Sequence, residues 1–120
     1  MDPIWRVDPL TTSEASALHD TGELVRLIRR GDDPNVAQQV RSDVLRREPV
    51  VLTPLEAAVA ADRTDVLDVL LDNGASLDER NWTRLKCFAD GVGADDAAAF
   101  LEQRRPADAV TDCNGVQTPW

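Results

Sequence analysis

Few residues in this chain have side chains that could do chemistry. His19 is the only histidine, with Ser13 and Ser16 close by in sequence. A serine nucleophile needs an adjacent base and a pocket that excludes water. A short helix near 14–19 supplies no such pocket, so the pattern favours a packing or surface histidine over a hydrolase. Cys87, Cys113 and His19 lack the close spacing of a zinc ligand set. Asp62, Asp65, Asp68 and Asp72 recur at helical intervals, but no loop adds the backbone carbonyls of a calcium site. That recurrence reads as a solvated acidic helix face. Gly91-Val92-Gly93 lacks the lysine and the third glycine of a phosphate loop. The expectation is therefore a chain with no catalytic residue, no metal and no cofactor.

The two cysteines do not make a disulfide framework. Cys87, beside Phe88, is expected to be buried and inert. A bridge to Cys113, in a loose tail, is the less favoured alternative. The cytoplasm follows as the default compartment. MDPIWRVDPL has no basic region followed by an apolar run, so it does not read as a secretory signal. No stretch is apolar for long enough to span a membrane.

Composition narrows the class further. The chain has 120 residues, of which 42% are apolar and 29% charged. This is a globular balance with room for one small core. The net charge of −9 disfavours nucleic acid. The charge is uneven: residues 1–52 carry nine acids and seven bases, residues 53–120 thirteen acids and six bases. An acidic half steers basic partners. Lys86 is the only lysine among thirteen basic residues, a usage typical of GC-rich bacterial genomes.

Apolar spacing then places the elements. Residues 1–12 read as an extended arm. Thr12 or Ser13 would cap a short helix, and Thr21 a second one carrying Leu24, Leu27 and Ile28, ended by Gly31. Asp33-Pro34 reads as another start, with Val36, Val40 and Val44 on the stripe of a helix over about 34–47. Thr53-Pro54 starts a helix to about Ala61. Val66, Leu67, Leu70 and Leu71 drive its partner, stopped by Asn73-Gly74. Thr83 would cap another helix holding Leu85 and Phe88. Ala97, Phe100 and Leu101 mark the last, and Pro106 begins a tail over 106–120.

The stretch Thr53–Ala75 resembles the ankyrin repeat. Thr53, Pro54, Leu55, Ala58, Val66, Leu67, Leu70, Leu71, Gly74 and Ala75 match its pattern in place. Glu56 stands where the family has His, and Asp62 where it has the inter-helix Gly. Leu27–Asn35 is similar to the repeat's ending, and units at each end are degenerate. The resemblance implies an all-α solenoid of stacked antiparallel helix pairs over 13–105. Ten or so extra residues between Asn35 and Thr53 read as an inserted helix near 34–47, and the finger before Thr83 as clipped.

What the resemblance implies for function is protein binding through the fingers and the exposed side of each first helix. The matching positions are Leu52, Ala60, Ala61, Glu79, Arg80, Trp82 and Asp90. Trp82 stands out, because an exposed Trp beside Glu79 and Arg80 is typical of a binding hot spot. Its alternative is packing against Val50 or Leu52. Trp5 is expected to pin the N-terminal arm, and Trp120 cannot be placed. The expected partner is another protein with a basic surface, such as a toxin blocked by an immunity or antitoxin protein. The alternatives are docking on a larger enzyme as a regulatory or scaffold subunit, and a hydrolase built on His19.

Overall fold

The computed structural model describes residues 10–109 and 112–119. The expectations for Trp5 and Trp120 lie outside them. Within them the chain forms α1 (Thr12–Ala17), α2 (Thr21–Arg29), β1 (Gln38–Val40), β2 (Val50–Leu52), α3 (Pro54–Ala60), α4 (Thr64–Asp72), α5 (Glu79–Val92) and α6 (Asp95–Gln103). The helices pack in consecutive pairs, α1 with α2, α3 with α4 and α5 with α6. The first helices pack in a row, α1 on α3 on α5, and the second helices do the same, α2 on α4 on α6.

Local chemistry explains the repetition. Thr11 accepts a bond from the Glu14 amide, and the Glu14 carboxylate accepts one from the Thr11 amide. Thr53 and Glu56 make the same reciprocal cap at α3, with Pro54 in the first turn. Between the helices of each pair sits one residue in the left-handed region: His19, Asp62 and Gly93, with φ of 60°, 57° and 74°. Asp and His tolerate this conformation better than most residues. The next amide then bonds the carbonyl five residues back, Asp20 to Ala15, Arg63 to Ala58 and Ala94 to Ala89, at 2.9 Å each. Asp32 to Leu27 and Ala75 to Leu70 close the first two pairs the same way, following Gly31 and Gly74.

One hydrophobic seam runs through the stack. Leu24, Leu27, Leu55, Val59, Leu67, Leu70, Trp82, Leu85, Phe88 and Leu101 are all buried in it. Since pairs this short cannot enclose a core alone, each is covered by its neighbours.

The helix expected over 34–47 is absent, which corrects the all-α reading. The fold is mostly helical with a two-stranded antiparallel sheet, pairing Gln38 with Leu52, Gln39 with Val51 and Val40 with Val50. Valine suits a pleated surface at least as well as a helix. Val40 and Leu52 bury against Ala17 and Ala57, and Val44 and Leu45 cover that cluster. Of the expected stripe, Val40, Val44 and Leu45 join this cluster, while Val36 and Ala37 are exposed. Asp33-Pro34 makes a turn, in which the Asp33 carboxylate accepts from the Asn35 amide at 2.9 Å. Asn35 then reaches the next pair, donating to the Gly74 carbonyl and accepting from the Ser76 amide.

Helix α5 starts earlier than expected. Asp78, not Thr83, is its cap, accepting from the Asn81 amide at 2.8 Å. Thr83 lies in the second turn and donates to the Glu79 carbonyl. Ala94 has no side chain to cap α6. Asp62 does so from the neighbouring pair, accepting from the Ala97 amide at 2.8 Å.

Candidate functional site

The hairpin and the amino-terminal ends of α3 and α5 frame an open groove of about 630 Å³. Val51 and Ala37 line one side, Arg80, Asn81 and Arg84 the other, and Thr53, Glu56 and Asp78 lie between. Gln117, Thr118 and Pro119 of the C-terminal segment complete the wall. The Arg84 guanidinium bonds the Glu56 carboxylate, which tethers α5 to the cap of α3. Its Nε also donates to the Gln117 carbonyl at 3.3 Å.

The same device recurs one pair earlier. Arg41 donates through its amide, Nε and an Nη to the Glu14 carboxylate, at 2.9, 2.6 and 3.0 Å. Glu14 is 1% exposed. Burial pushes its carboxyl up, but the bonds from the Arg41 side chain and from the Thr11 and Arg41 amides outweigh that and hold it below its ordinary value. In each case the glutamate of a capping box takes an arginine from later in the chain, Arg41 just past β1 and Arg84 in α5.

The expected binding positions scatter. Arg80 lines the groove, with Glu79 exposed beside it. Asp90 is exposed and paired with Lys86 at 3.0 Å. Ala60 and Ala61 are half-buried at the end of α3. Leu52 is fully buried in the hairpin cluster. Trp82 is not an exposed anchor: it is fully buried, and its Nε1 donates to the Leu101 carbonyl at 2.6 Å. Because α5 already runs at Glu79, Trp82 shares a face with Leu85 and Ala89 and points at α6. Arg105 lies over its ring at 5.4 Å. The packing partners expected for it, Val50 and Leu52, are not the ones it uses.

The residues weighed for catalysis have other partners. Ser13 donates to the Leu52 carbonyl and Ser16 to the Thr12 carbonyl. His19 pairs with the Asp65 carboxylate. Asp68 pairs with Arg104 at 3.3 Å. The acidic face of α4 thus ties its own pair to both neighbours. No cluster of three or more metal-ligating side chains occurs among the described residues, and none of their helices is long and apolar enough to cross a membrane.

Cys87 and Cys113 form a disulfide, with Cα atoms 5.7 Å apart, where free thiols were the favoured expectation. Cys87 is buried on α5 and Cys113 exposed in the tail. Nothing in the spacing of two cysteines 26 residues apart discloses this. Arg84, Val51 and the tail were likewise missed as groove residues. The second Thr-x-x-Glu, at Thr11–Glu14, was the signal that would have located the first capping box.

Comparison with protein-family models, curated proteins and solved structures finds no match.

Proposed function

We propose that this chain is a non-enzymatic protein-binding module of ankyrin type, and that the groove between the hairpin and α5 receives its partner. The observation that carries the reading is the stack itself. Three helix pairs repeat one turn geometry, and a hairpin stands out beside the first-helix layer where the ankyrin resemblance puts a finger. Ten extra residues then lengthen that finger instead of adding a helix. Such a stack offers an extended surface in place of an enclosed cleft. Val51, 67% exposed at its edge, is a large apolar side chain in search of cover.

The narrower form is an immunity or antitoxin protein that blocks a basic toxin. Its support is the charge of −9, concentrated in the half that holds α3 to α6. The disulfide favours an oxidising compartment over the cytoplasm, or a bridge that opens and closes.

Pull-down from the native cell extract tests the reading. The unaltered chain should recover a stable basic protein, and Val51→Asp and Arg80→Ala should each abolish recovery without changing the thermal melt. Recovery of no stable partner, or recovery indifferent to both substitutions, would remove the proposal. A large enzyme in place of a toxin would leave the groove standing and replace the narrower form.

A further inference from the structure

Residues 112–119 form no helix or strand, yet they run along α5 instead of away from it. Gly115, Val116 and Gln117 line a second open pocket together with Arg80, Thr83 and Arg84. Val116, Thr118 and Pro119 are half-buried there. Two of the bonds in this segment are internal: the Asn114 amide to the Asp112 carboxylate, and the Val116 amide to the Cys113 carbonyl. Arg84 donates across to the Gln117 carbonyl, and Thr118 makes a further contact. Beside these stands one covalent link, Cys87–Cys113. Remove it, and a short irregular segment must offset its ordering entropy with non-covalent contacts alone.

We propose that segment 114–119 is a redox-released strap: oxidised, it closes the α5 side of the groove, and reduced, it leaves, opening the Arg84 side of the groove to an extended segment of a partner. The partner chemistry follows from what the strap supplies. Arg84 takes a main-chain carbonyl from it, so a polypeptide in extended form can take its place. This consequence for binding rests on the groove being the partner-binding face; the release of the strap does not.

The release is thiol–disulfide exchange with a dithiol reductant. The reductant's thiolate attacks the exposed Cys113 sulfur, and the sulfur–sulfur bond breaks. Buried Cys87 leaves as a thiolate and takes a proton. The reductant's second thiol displaces Cys113 as a thiol and closes the reductant's own disulfide. Two electrons and two protons pass to the chain.

Backbone ¹⁵N relaxation on the full chain, before and after a small dithiol, tests the strap. Oxidised, residues 114–118 should show order parameters near the rigid value of about 0.85; reduced, they should fall below about 0.6. The amide shifts of Asn81, Thr83 and Arg84 should move, while those of Leu67 and Leu70 hold. Cys113→Ser should match the reduced chain. A segment equally ordered in both states, or already mobile when oxidised, would overturn the strap, as would loss of the helical shifts on reduction. Affinity for the recovered partner should rise about fivefold or more on reduction. An ordered, unreleased segment with recovery still abolished by Val51→Asp sinks the strap alone. A released segment with recovery indifferent to that substitution sinks the groove.

Discussion

Thr11-x-x-Glu14 and Thr53-x-x-Glu56 do the same job in successive helix pairs, and Glu14 shows what it is worth. Its carboxylate accepts from the Thr11 amide and from three groups of Arg41. Glu14→Gln should cost about 1.5–3 kcal/mol at neutral pH, read by urea unfolding, since bonds to a charged group are lost. The pH dependence has a definite sign. The folded carboxyl titrates below its ordinary 4.5, so its contribution is complete above that value and is lost as pH falls through the lowered one. The native chain should lose stability across that window, and the glutamine variant should lose less. Trp82 makes the second case at this scale. Trp82→Ala should cost about 3–5 kcal/mol, whereas an exposed binding residue would be nearly neutral.

At the scale of elements, the helix pairs were legible in the sequence and the hairpin was not. Caps, prolines and glycines mark where α3 and α4 begin and end, because local hydrogen bonds decide those ends. Residues 34–47 offered valines spaced by four, which suits a helix face, and only pairing with distant Val50–Leu52 makes a strand of 38–40. That partner is tertiary, so periodicity cannot see it. The same limit hid Trp82. Choosing Thr83 over Asp78 as the cap of α5 put it in a finger, when the added turn of helix carries it into the core. Arg80 was found because it flanks that turn. Arg84 and Gln117 were not, because a disulfide places the tail. The hairpin makes its own prediction. Leu52→Ala should cost about 2–5 kcal/mol, while Val51→Ala one residue away should change unfolding by less than about 0.5 kcal/mol. Equal effects would mean that the strand's two faces are not distinguished.

At the scale of the whole molecule, an aspartate-rich face and one covalent bridge tie the helix pairs together. Asp62, Asp65 and Asp68 reach from the middle pair to α6, His19 and Arg104. Cys87–Cys113 links residues 26 apart, and opening it should lower unfolding stability by up to about 3.5 kcal/mol on loop-closure grounds, measured by urea titration with and without a dithiol. The proposed function puts the partner in the groove between the hairpin and α5, not on the exposed faces of α4 and α6. Photo-crosslinking tests it most directly, with a reactive side chain placed in turn at Val51, Arg80, Asp72 and Asp96 of the full chain in native extract. The groove positions Val51 and Arg80 should label one and the same protein, and the outer positions Asp72 and Asp96 should not. Labelling from Asp72 or Asp96 with none from Val51 or Arg80 would contradict it.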